Sequence, residues 1–471
     1  MSGSTLSPSS RARLETLAGA MQGELLLPDH AGWGEASAPW NLAVVQRPAA
    51  VALPADVADV QLLMAAARDT GLGVTVQPGG HGPHGGDLHD CILVRTAAFD
   101  ELTIDIPTRT ARVGAGVRWG RVLQALEGTG LLALAGSNPT INVAAFTLGG
   151  GHSSFGRSFG LAAHSLLAVE MVTADGRAIR VGDGVGDDDE LLWALKGGGG
   201  QFGVVTALEF RLHPAPATGR LYGGKLTFPA AAAGPVLRAV LDVAASAPEP
   251  LSISAVLMVL PDLPFVPEPL RGQSVVTVDI VSQLDREATE SMLEPIRSAG
   301  AVVADTVAAF GIGALTDVFA EPVDPVPALE WSALLGSLTH PAVDALVAAF
   351  AEGAALGLSL LQIRPLGGAI GRAVTPPAVA GVAGVLAAHA LLGATGLVFD
   401  PAMVPGIGLA LGKVRDAAAP HTVHGRVVTF LAPGEDLGAA YGAPEIARLR
   451  AVKARVDPGG TIRSNRPLPL A

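Results

Sequence analysis

The sequence predicts an α+β protein built from two units, and three observations support this class. Its 471 residues are 49% hydrophobic and 16% charged, a composition that can fill a large core and excludes a disordered chain. Its 59 glycines concentrate between residues 71 and 204, among short signals for alternating strands and helices. Beyond about residue 215, longer β-rich runs and amphipathic stretches predict an antiparallel sheet covered by helices.

The first unit alternates strands with helices. Apolar residues at helical spacing after Asp56 predict a helix over Val57–Asp69, and the β-rich runs GVTVQP and CILVRT predict two strands. The dipeptide Asp175-Gly176 predicts the turn of a hairpin within VEMVTADGRAIRV. The other predicted elements are a strand over Thr110–Ala115, a helix over Trp119–Gly128, a helix in ELLWALK and a strand in GVVTALEFRLHP.

The second unit is predicted from runs of β-forming residues and from helical periodicity. Strands are expected in YGGKLTF, SISAVLMVL, QSVVTVDIVSQL and LSLLQIRPLGG, and helices in REATESMLEPIRSAG and around Pro341–Gly353. The uncharged stretch Ala378–Phe399 is long enough to span a membrane. Because it is rich in Ala and Gly and has His389 in its middle, we expect a packed helix that runs into a strand. The tail APEIARLRAVKARVDPGG predicts a last amphipathic helix.

Charge and cysteine content limit the partners. The formal net charge is −12 and the sequence has no basic block, so a nucleic-acid partner is not expected. The single cysteine, Cys91, cannot form an internal disulfide, and the N-terminal residues lack the apolar core and cleavage site of a secretion signal. We therefore expect a cytoplasmic protein that does not enter a membrane.

Two glycine-rich segments resemble familiar motifs but fail in their context. Gly198–Gly203 fits GxGxxG, yet a helix is predicted before it and a strand after it, which is the reverse of a dinucleotide-binding fingerprint. Gly149–Gly156 approaches the GxSxG nucleophile elbow, but its fifth position is Phe155 rather than glycine. Neither segment alone therefore indicates a specific chemistry.

A third glycine-rich segment, residues 77–90, leaves two interpretations open. Its histidines and carboxylates could bind a metal ion, although their spacing matches no common zinc motif. Alternatively, its backbone N–H groups could form a loop that binds an anion. One long ligand such as FAD, contacted by all three segments, would explain why they occur together. The potential metal ligands are His81, His84, Asp87, His89 and Asp90.

In their order, these motifs resemble the FAD-linked oxidases of the vanillyl-alcohol oxidase and p-cresol methylhydroxylase (PCMH) type, especially the berberine-bridge-like and 6-hydroxynicotine oxidases. QPGGHGPHGG resembles the first flavin loop, GSNPTINVAAFTLGGGHSSFGRSFGLAAHSLL the second, and LLWALKGGGGQFGVVT the third signature. The resemblance implies a PCMH-type two-subdomain FAD-binding domain over 1–215, with its core at 45–215, and a substrate domain over 216–415. A C-terminal segment over 416–471, containing Tyr441-Gly442 and RLRAVKARVDPGGTIRSN, would return to the flavin domain.

The resemblance also implies which residues hold FAD. His81 would be joined covalently to the flavin 8α-methyl group. The family's second attachment cysteine falls at Asn138, whose amide cannot form a thioether, so a flavin attached through histidine alone is expected, with no metal. The other residues implied to contact FAD are Pro78, Gly79, Gly80, Gly82, His84, Gly85, Gly86, Ser137, Asn138, Asn142, Val143, Gly149, Gly150, Gly151, His152, Gly160, Val205 and Asn465.

The catalytic base is harder to assign. Members of the family transfer a hydride from a substrate carbon to flavin N5 while a base removes a proton from the adjoining OH or NH group. The chain has two tyrosines, Tyr222 and Tyr441, and Tyr441 falls in the tail motif, so a phenolic base is not expected. The candidates that remain are Gln362, Arg364, Asp279 and His389, with Gln283, His421 and His424 as further options.

The predicted function is that of an FAD-dependent oxidoreductase acting on a hydroxyl- or amine-bearing small molecule in secondary metabolism, with oxygen as acceptor. Ile141 falls where relatives place a residue beside the oxygen pocket, and its extra methyl group predicts slow reoxidation. Two alternatives stay open. One is a flavoprotein that uses FAD structurally for a redox-neutral cyclisation, and the other is a colourless metal enzyme.

Overall fold

The computed structural model describes residues 6–182, 188–262, 268, 271–374 and 377–470. Helices and strands alternate at first, and long strands with covering helices follow. The helices are α1 Pro8–Ala20, α2 Trp33–Ser37, α3 Val57–Thr70, α4 Trp119–Leu126, α5 Val143–Leu148, α6 Gly156–Phe159, α7 Asp189–Leu195, α8 Ala233–Ser246, α9 Arg286–Arg297, α10 His340–Ala354, α11 Pro377–Ala380, α12 Val404–Ala418 and α13 Ala443–Val456. The strands are β1 Glu24–Leu26, β2 Ala50–Leu53, β3 Gly73–Val76, β4 Cys91–Val94, β5 Leu102–Asp105, β6 Thr110–Gly114, β7 Leu131–Leu132, β8 Leu166–Val172, β9 Ala178–Gly182, β10 Val204–Arg211, β11 His213–Pro214, β12 Leu221–Pro229, β13 Leu251–Val259, β14 Ser274–Ser282, β15 Ala304–Asp305, β16 Ala308–Phe310, β17 Ala328–Leu335, β18 Leu360–Pro365, β19 Ala390–Leu397 and β20 Thr422–Val423.

The first part of the chain forms two small sheets. One has the strand order β1-β2-β4-β3, in which β4 pairs in parallel with both β2 and β3, and the other has the antiparallel order β5-β6-β10-β8-β9. Helix α3 begins where predicted, because the Asp56 carboxylate accepts the Asp59 N–H at 3.0 Å. The predicted hairpin is confirmed as β8 and β9.

The second part forms a larger antiparallel sheet with one helix-covered face. Within the described residues it has nine strands in the order β15-β12-β14-β13-β18-β19-β17-β20, and β16 pairs with β12. Alternate side chains point to opposite faces of a strand. On one face, Leu226, Ile280 and Ile363 pack with residues of α8, α9, α10 and α12 in a single apolar cluster. The predicted α+β class with a helix-covered antiparallel sheet is confirmed.

The C-terminal segment returns to the first sheet. Beyond α13, the Val74 N–H donates to the Thr461 carbonyl at 2.7 Å, and the Arg463 N–H donates to the Val74 carbonyl at 2.7 Å. The tail therefore extends the edge of the sheet at β3. It also brings residues 464–466 next to the loop that follows β3.

The stretch Ala378–Phe399 differs from the prediction. Only Pro377–Ala380 is helical, and the following residues are irregular until β19 begins at Ala390. Gly381 has φ +63°, and a Cβ atom there would lie 2.1 Å from Lys196 Cβ, so a close tertiary contact prevents the helix from continuing. No helix in the described part of the chain is long and apolar enough to cross a membrane. The sequence analysis also did not predict α1, α8, α12 and β17.

Candidate active site

A cavity of about 480 Å³ separates the glycine-rich segments from the helix-free face of the large sheet. This volume falls in the range of small-molecule and cofactor sites. Many of the residues predicted to hold the cofactor line it: Pro78, Gly79, Gly80, His81, Gly82, Ser137, Asn138, Asn142, Gly149, His152, Val205 and Asn465. The others predicted for this role, His84, Gly85, Gly86, Val143, Gly150, Gly151 and Gly160, are not among the lining residues.

The first loop is held against the segment that precedes β2. Gly80 has φ +72°, and a Cβ atom there would lie 2.8 Å from both Pro39 Cα and Trp40 N, so this position requires glycine. The Trp40 N–H donates to the Gly80 carbonyl at 3.0 Å. The Trp40 ring stacks on the His81 imidazole, with the centroids 4.3 Å apart. The loop therefore presents His81 to the cavity from a rigid support.

The electrostatic environment keeps two histidines of the cavity neutral. Burial, with a smaller effect from the positive charge of Arg118, lowers the pKa of His81 to about 4. Burial and the positive charge of Arg364 lower the pKa of His152 to about 3. His152 Nδ1 is buried without a hydrogen-bond partner in the described residues, so it is available to a ligand.

The glycine-rich segment Gly198–Gly203 lies between α7 and β10. Gly199, Gly200 and Gly203 line the cavity, and a Cβ atom at Gly199 or Gly200 would meet no atom within 4 Å. The hydroxyl of the partly buried Tyr441 donates to the Gly197 carbonyl at 2.8 Å and so anchors the start of this segment. The role of Tyr441 is thus structural, as its place in the tail motif predicts.

Two asparagines of the cavity use their amides to hold the backbone. Asn142 donates to the Ala115 carbonyl at 2.7 Å and accepts the Ala145 N–H at 2.9 Å at the start of α5. Asn465 donates to the Val76 carbonyl at 2.8 Å and accepts from Gln77 Nε2 at 2.8 Å. These contacts fix the second loop and the tail around the cavity.

Charged side chains cover the cavity face of the large sheet. Lys225 Nζ lies 2.7 Å from Asp279 Oδ1, across the paired strands β12 and β14. Burial raises the pKa of Asp279, and the attraction of Lys225 opposes this rise. The Arg364 guanidinium lies 5.3 Å from the Phe430 ring centroid, and its Nη2 is 3.9 Å from Glu321 Oε1. The predicted candidates Asp279, Gln362 and Arg364 thus share one face of the cavity.

Glu330 projects from β17 onto the same cavity. Its side chain is accessible from the cavity, and its carboxylate makes no hydrogen bond within the described residues. The surrounding protein withdraws the carboxylate from bulk water and so raises its pKa, even though Arg466 opposes the effect. Arg466, next to Asn465, donates to the Pro83 and Leu431 carbonyls, each at 2.7 Å. A carboxylate without a partner that faces a cavity can accept a proton from a ligand.

Comparison with known proteins agrees with this geometry. A model described as FAD binding domain matches residues 48–182. The chain carries an FAD-binding domain. The sequence is 33% identical over 198 residues to (R)-6-hydroxynicotine oxidase of Paenarthrobacter nicotinovorans, a match that covers 42% of this chain and 43% of that relative. The matched segment therefore spans less than half of the relative's length.

The fold extends the similarity beyond the FAD-binding domain. The wild-type BBE-like 1 protein of Physcomitrella patens superimposes with a TM-score of 0.80 at 20% identity, covering 97% of this chain and 99% of that one. The 6-hydroxy-D-nicotine oxidase of Arthrobacter nicotinovorans superimposes with a TM-score of 0.77 at 24% identity, covering 94% and 97%. The resemblance to berberine-bridge-like and 6-hydroxynicotine oxidases is confirmed.

The cavity fits the cofactor of the FAD-binding domain. The backbone at Gly199 and Gly200 faces open space, and His152 Nδ1 lacks a partner in the described residues. Pro78–Gly82, Ser137 and Asn142, together with the glycine-rich segment Gly198–Gly203, would surround one long ligand. No group of three His, Cys, Asp or Glu side chains in the described ranges is arranged to hold a metal ion.

Several predicted catalytic candidates lie away from the site of the FAD-binding domain. His389, His421 and His424 do not line the cavity, and Gln283 Nε2 donates instead to Ser158 Oγ at 2.8 Å. Tyr222 also lies outside it and donates to Glu290 Oε1 at 2.7 Å.

The sequence analysis missed four charged residues of the cavity: Lys225, Glu321, Glu330 and Arg466. Lys225 and Asp279 are each the only charged residue of a predicted strand, YGGKLTF and QSVVTVDIVSQL, and this shared feature could have indicated an ion pair. Glu330 gave no comparable signal, because its strand was not predicted.

Proposed function

We propose that this protein is an FAD-dependent oxidoreductase that oxidises a hydroxyl- or amine-bearing small molecule, with FAD attached covalently through His81 alone. One observation carries the proposal: the glycine-rich segments and His81 meet the charged face of the large sheet across a single cavity. Bound FAD would supply a hydride acceptor at N5. The sheet face would supply the groups that bind the substrate.

Glu330 is our proposed proton acceptor. Its carboxylate has no hydrogen-bond partner in the described residues, whereas the Asp279 carboxylate is neutralised by Lys225 at 2.7 Å. A raised pKa makes the Glu330 carboxylate a stronger base than an ordinary glutamate. Gln362 and Arg364 would orient polar groups of the substrate, and neither tyrosine is placed to compete for the proton.

The identity of the electron acceptor and the cellular location are also proposals. Dioxygen would reoxidise the flavin, and Ile141, which lines the cavity, would slow that reaction. The test is the rate of flavin reoxidation in air for the unmodified protein and for Ile141→Ala. Faster reoxidation in the variant supports this role, and an unchanged rate contradicts it. A cytoplasmic location is consistent with the unpaired Cys91.

We also propose the division into an FAD-binding domain over 1–215, a substrate-binding domain over 216–415 and a returning segment over 416–471. Its support is that the large sheet begins at Leu221, and that the tail bonds to Val74. Residues 1–5 and 471 lie outside the described residues.

An anaerobic assay of flavin bleaching tests the proposed function. The purified protein is mixed without oxygen with 6-hydroxynicotine, xylooligosaccharides, and sets of simple amines and alcohols, while the visible flavin band is recorded. We expect one of these compounds to bleach the flavin of the unmodified protein. We expect the same compound not to bleach the flavin of Glu330→Gln. A compound that the protein transforms without bleaching would instead favour a redox-neutral reaction.

A denaturation test addresses the covalent bond separately. The flavin should stay with the acid-precipitated protein and should pass into the supernatant for His81→Ala. Yellow supernatant from the unmodified protein would contradict attachment through His81.

A further inference from the structure

The position of His81 Nε2 is set by a chain of two hydrogen bonds. His81 Nε2 lies 3.0 Å from the Thr140 hydroxyl, and that hydroxyl lies 2.7 Å from Asn138 Oδ1. His81 is further held by the Trp40 ring, which lies nearly parallel to it at an angle of 16°. The imidazole therefore has one defined polar contact and one defined stacking contact.

The orientation of the Asn138 amide follows from its backbone partners. Its Nδ2 donates to the Pro322 carbonyl at 2.6 Å, and its Oδ1 accepts the Thr140 N–H at 2.9 Å. A flipped amide would place the NH₂ group against an N–H and the oxygen against a carbonyl, so only one orientation is compatible with both partners. Asn138 is 2% exposed, and solvent cannot compensate for a flip.

These contacts fix the direction of the Thr140 hydroxyl proton. It has a single proton, and the Asn138 oxygen that it faces can only accept. The Thr140 oxygen must therefore accept from His81, which places the imidazole proton on Nε2. His81 Nδ1 keeps its lone pair, and no hydrogen-bond partner for it occurs within the described residues.

We propose that Asn138 and Thr140 are positioning residues that hold His81 as its Nε2–H tautomer and thereby present Nδ1 as the atom that bonds to the flavin. This inference rests on the proposed attachment through His81. It assigns a role to Asn138, which stands where the family has its second attachment cysteine.

The neutral state of the ring is consistent with this assignment. The low pKa of His81, caused mainly by burial, leaves the imidazole unprotonated at Nδ1 over the physiological range. A nucleophile needs that free lone pair.

In the attachment step, Nδ1 forms a bond to the 8α carbon, one 8α C–H bond breaks, and the flavin ring system gains two electrons. The 8α proton and the Nε2 proton of His81 balance this charge, and dioxygen reoxidises the ring with formation of hydrogen peroxide. A hydroxyl at residue 140 can accept the hydrogen bond from Nε2–H, whereas a methyl group cannot.

Thr140→Val and Thr140→Ser test the proposal as a matched pair, because serine keeps the hydroxyl and valine keeps the shape. Each variant is incubated with FAD in air, and the flavin retained by acid-precipitated protein is measured over time. The linkage isomer is determined by NMR of the histidyl-flavin isolated after proteolysis. We expect the Nδ1 isomer in the unmodified protein and in Thr140→Ser. For Thr140→Val we expect attachment slowed by roughly fivefold, which corresponds to the loss of one hydrogen bond of about 1 kcal/mol.

The outcomes separate this inference from the proposed function. An Nε2 isomer in the unmodified protein, or attachment at an unchanged rate in Thr140→Val, overturns the tautomer assignment and leaves the attachment through His81 intact. A complete absence of histidyl-flavin from the unmodified protein refutes the attachment itself. Circular dichroism and the content of noncovalent FAD show whether Thr140→Val is folded. Asn138→Ala should slow attachment in the same way, because it frees the Thr140 proton to point at His81.

Discussion

Replacing Lys225 by methionine should destabilise the protein by about 3–5 kcal/mol near neutral pH, the usual cost of leaving one partner of a buried pair uncompensated. Lys225 Nζ lies 2.7 Å from Asp279 Oδ1, and the Asp279 side chain is only 3% exposed. Methionine keeps the length and apolar character of the lysine stem. The variant therefore removes the charge with little change in packing.

The sign of the pH dependence follows from Asp279. Burial raises the folded-state pKa of this carboxyl above its unfolded value, and loss of Lys225 raises it further. The folded variant then binds a proton that the unfolded chain has released, so its stability falls as pH rises. The loss is about 1.4 kcal/mol per pH unit between the unfolded pKa of about 4 and the folded pKa.

Urea unfolding at about pH 5 and about pH 7.5, followed by circular dichroism, measures this effect. The free energy of unfolding lost in Lys225→Met should be smaller at the lower pH. The double variant Lys225→Met/Asp279→Leu should recover most of the free energy of unfolding that Lys225→Met loses. The matched control is Lys413→Met, because Lys413 pairs with Glu352 at 2.6 Å on the surface. It should cost less than about 1 kcal/mol. A penalty of that small size in Lys225→Met, or the same penalty at both pH values, would refute the reasoning.

The other predictions concern the cavity. His81→Ala should give a protein whose flavin is released by acid, and measurement of flavin in the precipitate checks this. Glu330→Gln should lower kcat/KM by roughly 10²-fold or more, the typical contribution of a general base. Because the carboxylate must be ionised, kcat/KM of the unmodified protein should fall as pH decreases through the raised pKa of Glu330, and a pH profile of the variant should lack this limb. Gly80→Ala should lower both the flavin content and the thermal midpoint. Gly32→Ala is its control, since Gly32 has φ +83° but open space around a Cβ atom, and it should cost only about 1–2 kcal/mol. Equal losses in the two glycine variants would argue against a steric requirement at Gly80.

Local signals made the first unit predictable. The carboxylate of Asp56 starts α3, and the turn at Asp175-Gly176 joins β8 to β9, because a cap and a turn each act over a few adjacent residues. The same rules failed at 378–389. There Gly381 has a positive φ and passes so close to Lys196 that no Cβ atom would fit, and no feature of the local sequence indicates that contact.

The sequence by itself determined the α+β class, the glycine-rich segments and the place of His81 among them. These depend on hydrophobic periodicity and on residues that permit particular backbone conformations, and both are encoded locally. Only the tertiary structure decided which polar groups share the cavity. Lys225 meets Asp279 through strand register, Glu330 reaches the cavity from a strand that was not predicted, and Asn138 is oriented by the Pro322 carbonyl. Such pairings join residues far apart in the chain, and their geometry exists only after the sheets have formed and the tail has returned to β3.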